Sequence, residues 1–354
     1  MGIDEQAQAL IVKAVQAPSS HNTQPWRFRV DGATIDLSAD RSRALPVNDP
    51  DDRELTSSCG AALMNLRVAA AGQGLGIAVE RLPDATQPDW LARVSIRSDS
   101  RPPPSPAPQG FADLSPNPLP SPPLNPPPAP LAVLSAFIEQ RRTHRKGFSE
   151  RAVDPAIVEQ LVAAAELEGA LLHPLTTAAA REQAAALVAE GDAVQWSSPA
   201  WRRELAAWMH PRRSSEGLTV PAMLAPVIRF MIARFDLGKR IAVQDQALAA
   251  AAPVLAVLAT EHDRPNDWLR AGEALQRLLL VACRQGLQAG YLNQPIQVAA
   301  LRPRLQGLIG GGFPQLLLRL GYLPEGSRFS SLPAKPRRPP TAVLDPINQS
   351  YSQR

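Results

Sequence analysis

Residues 17–28, APSSHNTQPWRF, place a run of short polar side chains between two prolines. Pro18 and Pro25 fix their own φ angles and disfavour helical geometry in the residue before them, so the helical pattern of residues 5–16 should end near Ala17. The chain between the prolines is then a loop held at both ends. Its hydroxyl and amide groups can donate and accept hydrogen bonds to a planar heterocycle without adding charge, although the same residues are common in ordinary turns. They are Ser19, Ser20, Asn22 and Gln24.

The composition indicates a globular protein with a small net charge. The 354 residues are 45% hydrophobic, which is enough for a sizeable core in one or two domains. The net charge of +4 is too small to favour nucleic-acid binding. Cys59 and Cys283 lie far apart within helical patterns, which predicts buried free thiols. No apolar stretch reaches membrane-spanning length and the first ten residues do not resemble a signal peptide, so we expect a cytoplasmic protein without a membrane partner.

A proline-rich segment interrupts the chain. Residues 102–130 hold fourteen prolines, so helices and strand ladders are excluded and an extended or disordered linker over 101–130 is predicted. The linker separates a first half, 1–100, from a second half, 131–345, which is followed by a tail, 346–354. A variable spacer is the simpler interpretation, and a docking site for a proline-recognising partner is the alternative.

Two apolar segments of the chain repeat each other. Residues 59–75, CGAALMNLRVAAAGQGL, align with residues 271–287, AGEALQRLLLVACRQGL, at a constant offset of 212. Eight positions are identical, including Gly60 with Gly272, where helices of this composition would agree by chance at roughly two or three. The repeat predicts one core helix in each half, related by duplication. Two unrelated apolar helices are the alternative.

Hydrophobic periodicity predicts a mixture of helices and strands. PVLAVLAT, residues 253–260, is apolar on both faces and should lie in the interior of a covered sheet. No Rossmann glycine motif or phosphate-binding glycine loop is present. Helices are predicted near 5–16, 54–73, 131–140, 155–166, 178–190, 200–209, 240–250 and 267–286, and strands near 26–38, 94–98, 253–259 and 316–320.

Two basic clusters could bind an anion. Residues 141–145, RRTHR, combine three arginines with a histidine and a hydroxyl before the helix that starts near Asp154. Residues 335–339, KPRRP, form the second cluster. Each could instead be a solvated basic segment. The histidines show no metal-ligand spacing, so no metal site is predicted, and no Ser/His/Asp arrangement stands out.

The polar loop, the basic clusters and GYLNQP at 290–295 together resemble motifs of the nitroreductase family. The resemblance extends from about residue 5 to 345, apart from the proline-rich segment, and is closest to the double-length Acg-like branch. It implies an α+β, nitroreductase-like fold of two fused pseudo-symmetric halves with mixed central sheets flanked by helices. In this family, one chain supplies the arginines of each FMN site and another supplies the polar loop. Here the first half lacks the arginines and the second half lacks the loop, so one chain should form a single FMN site, as a monomeric pseudo-dimer or a homodimer.

The same resemblance implies a set of cofactor-binding residues. The polar loop would line the flavin ring, and Arg145 would approach the N1/O2 edge, where a cation favours the reduced flavin. Asn293 and Gln294 would pass flavin N5, and Gln195 is a weaker candidate for the pyrimidine edge. The phosphate would be held by Arg141, Thr143, Arg145, Lys335 and Arg337, with Arg142 in the same cofactor-binding cluster.

The implied function is that of an oxidoreductase. Such an enzyme would take a hydride from NAD(P)H at flavin N5 and reduce a small nitroaromatic or quinone-like acceptor in the same pocket. Residues 210–236, which mix glycine, prolines and apolar side chains, could fold over the flavin as a lid. A lid that stays closed would make a non-catalytic, FMN-sequestering protein instead. A plain helical connection is the other interpretation of this segment.

Overall fold

The computed structural model describes residues 3–97, 129–211, 215–326 and 336–345. The predicted tail, Lys335 and all but the last two residues of the predicted linker lie outside these ranges. Within them, no helix is long and apolar enough to cross a membrane. The helices are α1 (Ile3–Ala14), α2 (Arg53–Gly72), α3 (Leu131–Leu134), α4 (Pro155–Glu166), α5 (Ala178–Ser197), α6 (Pro199–Ala207), α7 (Ala225–Arg234), α8 (Gly238–Ala250), α9 (Pro265–Arg284), α10 (Gln294–Gln297) and α11 (Arg302–Ile309). The strands are β1 (Trp26–Asp31), β2 (Thr34–Ala39), β3 (Gly76–Arg81), β4 (Trp90–Arg97), β5 (Leu171–Pro174), β6 (Met209–Pro211), β7 (Leu218–Val220), β8 (Val254–Thr260), β9 (Leu287–Tyr291) and β10 (Phe313–Tyr322).

The described strands form two four-stranded sheets and one small pair. The first sheet has the order β1-β2-β4-β3, the second has the order β5-β8-β10-β9, and all neighbours in both are antiparallel. Helices with antiparallel sheets confirm the α+β class. The two four-stranded sheets are thus antiparallel rather than mixed as predicted, and among the described residues parallel pairing occurs between β6 and β7 and at two isolated bridges, Phe28 with Leu344 and Thr143 with Ala289. Strands joined by short turns, such as β1 and β2, must be antiparallel, because parallel neighbours need a long crossover.

A hairpin replaces the single strand predicted near 26–38. Asp31 pairs with Thr34, and Gly32 between them has a φ of +53°, which suits the first central position of a tight hairpin turn. The prediction for 253–260 is confirmed, because β8 lies between β5 and β10 and is buried along its whole length. Periodicity does not predict β3, β5 or β9, whose burial does not alternate along the strand.

All the predicted helices are present, with differences at their ends. The prediction 155–166 matches α4, whereas the prediction 131–140 is only partly helical, because α3 ends at Leu134 and a 3-10 turn follows to Phe137. Helices α7, α10 and α11 are not predicted. Each has a proline in its first turn, where proline is tolerated but also resembles a loop signal. The two cysteines lie on α2 and α9 and are buried and free, as predicted.

Helices α2 and α9 cross in the main apolar core at Gly60 and Gly272. A Cβ atom on Gly60 would lie 2.0 Å from the carbonyl O of Leu269, and one on Gly272 would lie 1.9 Å from that of Ser57. Glycine at both positions therefore lets the two backbones touch. Ser57 and Leu269 are related by the same offset of 212 residues as Gly60 and Gly272. The contact of Gly60 with Leu269 and that of Gly272 with Ser57 are therefore equivalent, as expected between duplicated helices.

The last described segment of the chain, residues 336–345, lies against the first half. The backbone N–H of Phe28 donates to Val343 O at 2.8 Å, and Asp345 N donates to Phe28 O at the same distance. Arg27 forms an ion pair with Asp345 at 2.9 Å. This pairing brings the residues around Arg337 next to the polar loop that precedes β1.

Candidate functional site

A cavity of about 430 Å³ is lined by residues from both halves of the chain. It brings together three predicted motifs, which are the polar loop, the RRTHR segment and the GYLNQP segment. Gln195 on α5 also reaches it. The predicted residues that line the cavity are Ser19, Ser20, Thr143, Arg145, Gln195, Asn293 and Gln294, together with His21 from the polar loop.

The polar loop has a strained backbone. His21, Asn22 and Gln24 have φ angles of +48°, +56° and +54°, in the left-handed region that residues other than glycine rarely adopt. Bonds from distant segments offset this strain. Gln24 Oε1 accepts from Arg338 N at 2.8 Å, and Gln24 Nε2 donates to Ser215 O at 2.8 Å. The path of the loop along the cavity is therefore fixed by tertiary contacts.

Asn22 and Gln24 lie behind the loop and are not among the residues that line the cavity. Asn22 Oδ1 accepts from Arg337 Nη1 at 2.9 Å, and Asn22 Nδ2 donates to Pro336 O at 3.3 Å. An amide suits this place because it supplies a donor and an acceptor together. Both side chains fasten the loop to the last described segment, residues 336–345.

Glu54, which no sequence pattern singles out, organises one wall of the cavity. Its Oε2 accepts from Ser20 Oγ at 2.6 Å, and its Oε1 accepts from Gln297 Nε2 at 2.9 Å. Gln297 Oε1 accepts in turn from Gln195 Nε2 at 2.8 Å. The side chain of Asp49 accepts from the backbone N–H of Glu54 at 3.0 Å and so holds the first turn of α2. A chain of hydrogen bonds thus connects the polar loop with α10 and α5.

His21 lies in the cavity wall near Glu54 and Arg145. Burial lowers the pKa of His21 to about 4, the charge of Glu54 opposes this, and the charge of Arg145 lowers the pKa further. The imidazole is therefore neutral at neutral pH. Its Nδ1 is buried and has no hydrogen-bond partner among the described residues, so the ring retains a polar atom for a ligand.

Three arginines from the predicted basic clusters lie together, with Arg141 buried and Arg142 and Arg337 partly buried. Burial, followed by the charges of Arg141 and Arg142, lowers the pKa of Arg337 to about 9. Burial also lowers the pKa of Arg141, which is 4% exposed. In the part of the chain that the structure describes, Arg141 Nε and Nη1, Arg142 Nε and Arg337 Nε have no hydrogen-bond partner. Buried cations with unused donors are costly unless an anion joins them, so the cluster suits a phosphate.

Tyr291 connects this arginine cluster with the cavity. The Tyr291 side chain lines the cavity. Burial raises its pKa, while the nearby charges of Arg141, Arg145 and Arg337 lower it. Thr143 and Arg145 also line the cavity, whereas Arg141, Arg142 and Arg337 lie behind that wall. The predicted phosphate-binding residues are thus divided between the cavity and an adjoining buried cluster.

The RRTHR segment reaches the cavity because it runs beside β9. The backbone N–H of His144 donates to Ala289 O at 2.7 Å. A Cβ atom on Gly290 would lie 2.5 Å from His144 O, so glycine in the GYLNQP motif permits this close approach. The two motifs are therefore held against each other by backbone contacts.

Two carboxyl groups line another part of the cavity. Gln294 Nε2 donates to Asp192 Oδ1 at 3.2 Å and to Asp245 Oδ2 at 2.8 Å. Burial, followed by the charge of Asp245, raises the pKa of Asp192 to about 7. Burial also raises the pKa of Asp245. The apolar lining includes Trp196, Trp201, Leu205, Leu218 and Ile241.

Comparisons with known proteins identify the family of this chain. A family model described as the nitroreductase family matches residues 138–322. A Mycobacterium tuberculosis protein, named provisionally as an NAD(P)H nitroreductase, is 31% identical over 357 residues, which span 99% of this chain and 94% of the relative. The chain belongs to the nitroreductase family.

Other members of the nitroreductase family are more distant. The M. tuberculosis protein acg, also named provisionally as an NAD(P)H nitroreductase, is 27% identical over 340 residues, 92% of this chain and 91% of the relative. The solved FMN-dependent nitroreductase NfnB from Mycobacterium smegmatis, in complex with NADPH, is 15% identical, with a TM-score of 0.40 over 62% of this chain and 100% of that chain. The FMN and NADPH-dependent NfnB from Sphigopyxis sp. strain HMH is 22% identical, with a TM-score of 0.39 over 61% and 99% of the two chains.

In this nitroreductase-family chain, part of the candidate lid at 210–236 forms a wall of the cavity. Strands β6 and β7 pair in parallel, and Leu218 at the start of β7 lines the cavity. Gly217 N donates to the backbone of the polar loop at 3.2 Å, and Glu216 forms an ion pair with Arg43. The turn before β7 is therefore attached to the loop, while α7 continues as a helical connection.

Proposed function

We propose that the chain is an FMN-binding oxidoreductase that transfers electrons from NAD(P)H to a small nitroaromatic or quinone-like acceptor. The observation that carries the proposal is the cluster of Arg141, Arg142 and Arg337, whose buried nitrogen atoms include unused donors, beside a cavity built from both halves. A phosphate monoester would compensate this charge and use the free donors. Family membership, and relatives named as NAD(P)H nitroreductases, supply the expected electron donor.

The residues present fit FMN. The unused donors of the three arginines would hold the phosphate, and Thr143 would contact the same end of the cofactor from the cavity. Lys335 lies outside the described residues and stays a predicted ligand. Ser19 and Ser20 would line the ring, which enters a cavity of ordinary ligand-site size. When bound, FMN supplies the hydride-transfer chemistry, and the protein contributes binding, orientation and exclusion of water.

Asn293 and Gln294 would contribute to the ring mainly through their backbone. Asn293 Oδ1 already accepts from Leu317 N at 3.0 Å, and the Gln294 amide bridges two carboxyl groups. Side chains bound in this way hold the loop in place and leave its main chain to contact a ligand. Backbone N–H groups at the N5 side of the ring can orient the hydride-accepting atom.

Arg145 would set the electrostatic environment of the ring. It lines the cavity as an exposed side chain, and none of the ion pairs among the described residues involves it. A fixed cation stabilises developing negative charge, and reduced flavin carries negative charge on its pyrimidine side. Arg145 would therefore favour the reduced cofactor.

One FMN per chain is the expected stoichiometry. The polar loop comes from the first half, whereas the RRTHR segment and residues 336–345 come from beyond the linker. Within the described residues these pieces meet at one place, beside the cavity. A second equivalent of FMN retained after desalting would contradict this part of the proposal.

A second candidate function is FMN sequestration. The attachment of the turn at 215–217 to the polar loop favours it, because Glu216 pairs with Arg43 and Gln24 bonds to Ser215. If this wall stays closed over the ring, a nicotinamide has no access to it. The same residues would then bind FMN without turnover.

A two-step experiment tests these functions. Purified protein is saturated with FMN, desalted and examined for the flavin absorption bands, and it should retain one equivalent. It is then mixed anaerobically with NADH or NADPH in a stopped-flow instrument. Rapid bleaching of the flavin band supports the oxidoreductase, retained but unbleached flavin supports sequestration, and loss of FMN on desalting would reject both.

A further inference from the structure

We infer that the cavity contains its own proton donor, Asp192, which protonates a quinone oxygen as the quinone accepts a hydride. This inference rests on the proposed function, because it needs a hydride donor in the same cavity. Asp192 is 2% exposed, and its Oδ2 has no hydrogen-bond partner among the described residues. Its Oδ1 is held by Gln294, which also holds Asp245. Asp192 and Asp245 both line the cavity, so a positioned acid faces the space that an acceptor would occupy.

The surroundings of Asp192 favour the neutral acid. Burial and the charge of Asp245 raise the pKa of Asp192 to about 7, and the bond from Gln294 opposes them. Burial raises the pKa of Asp245 as well, and Gln294 and Arg319, which faces the pair from β10, oppose that rise. Two neighbouring buried carboxyl groups do not readily ionise together, so the pair holds a proton, and the arginine beside Asp245 favours its location on Asp192. The other titratable groups that line the cavity are His21, Glu54, Arg145 and Tyr291.

The proposed step balances with one hydride and one proton. A quinone that gains a hydride from the reduced cofactor becomes a hydroquinone monoanion. The O–H bond of Asp192 breaks as the new O–H bond of the hydroquinone forms, which leaves an aspartate carboxylate. Solvent returns the proton after the product leaves. The indole rings of Trp196 and Trp201 on the cavity wall suit a planar, uncharged acceptor of this kind.

Asp192→Asn tests the role of the acid, because asparagine keeps the shape but carries no acidic proton. Reduced, FMN-loaded protein is mixed with 1,4-benzoquinone, and reoxidation is followed as a function of pH. In the parent protein the rate constant should fall as pH rises through about 7. In Asp192→Asn it should be lower by roughly a hundredfold and independent of pH. Reduction by NADPH should stay unchanged, as should both steps in Glu190→Gln, which removes an exposed carboxylate from the same helix.

A second readout does not depend on activity. The infrared spectrum of FMN-free protein should contain a protonated-carboxyl carbonyl band below pH 7 that Asp192→Asn lacks. Asp245→Asn keeps Asp192 as the proton donor but removes the Asp245 charge that raises the pKa of Asp192. The titration of that band, and the fall in the rate constant for reoxidation by the quinone, should therefore move to lower pH. An unchanged band in Asp192→Asn, or no shift in Asp245→Asn, would overturn the inference. Absence of bleaching by NADH and NADPH would reject the proposed function alone, and dithionite-reduced protein would then be used for the quinone step.

Discussion

Gly60 and Gly272 face each other at the crossing of α2 and α9, and each lies against the backbone of the other helix. The contact is reciprocal within one chain, as a two-fold interface is between two chains. Glu54 lies at the start of α2 and Leu275 on α9, and both line the cavity. The distance between these two helices therefore helps to set the distance between two walls of the site.

Gly60→Ala should destabilise the fold. The added methyl group would meet backbone atoms of α9, which cannot move aside as a flexible side chain could, so the helices must separate. We expect the free energy of unfolding to fall by about 1–3 kcal/mol, measured by urea denaturation. Gly307→Ala is the matched control, because a Cβ atom on this helical glycine meets nothing within 4 Å. Equal stabilities of the two variants would contradict the close crossing.

Arg141→Met should have opposite effects on the FMN-free and FMN-bound protein. Arg141 is a buried cation whose guanidinium group makes a single, long hydrogen bond among the described residues, 3.4 Å to Gln16 O. Its removal should raise the melting temperature of the FMN-free protein, because an uncompensated buried charge is lost. FMN affinity should fall by about 1.5–3 kcal/mol, the contribution of a hydrogen bond to a charged group.

Calorimetry and FMN fluorescence quenching measure the two effects of this substitution. Arg304→Met serves as control, since Arg304 is exposed and pairs with Glu190 away from the cavity. It should leave FMN affinity unchanged. If Arg141→Met destabilises the FMN-free protein and retains full FMN affinity, the arginine has a structural role and the phosphate assignment is wrong.

Protonation of His21 should destabilise the fold in acid. The folded-state pKa of about 4 lies below the ordinary value of 6.5, so the unfolded chain binds the proton more readily. The stabilisation is fully present above pH 6.5 and is lost as pH falls from 6.5 through 4. His21→Asn removes this titration and tolerates the left-handed backbone. Its free energy of unfolding should depend less on pH in this window than that of the parent protein.

Urea denaturation at intervals across that window measures the difference between the two pH profiles. His262→Asn is the control, because His262 is exposed and its substitution should leave the profile parallel to that of the parent. Parallel profiles for His21→Asn as well would mean that His21 is not held neutral in the folded protein.

Sequence patterns identified the motifs better than the roles of single residues. The glycines of the repeat, the polar loop and the RRTHR segment are local signals, and the fold brings them to one cavity. Asn22 and Gln24 could equally contact a ligand or the chain itself, and only their partners show that they fasten the loop. Glu54 and Asp192 lie in ordinary helical patterns, and their importance arises from partners on other elements. Such contacts have no local signal, so sequence periodicity cannot reveal them.

Glu216→Gln should loosen the wall formed by the turn before β7. The substitution keeps the shape of the side chain but removes the charge that pairs with Arg43, so the turn should separate from the polar loop more often. A partly buried pair of this kind is worth roughly 1 kcal/mol, so the rate constant for FMN dissociation should rise about two- to fivefold. Dissociation is followed by the recovery of FMN fluorescence after dilution. Glu190→Gln, which breaks an exposed ion pair remote from the cavity, should leave the rate constant unchanged.

If nicotinamide access also requires this wall to open, bleaching by NADPH will accelerate in parallel. Faster dissociation with unchanged bleaching would mean that the turn retains FMN but does not gate the electron donor, and no change in either rate would show that this ion pair does not close the site.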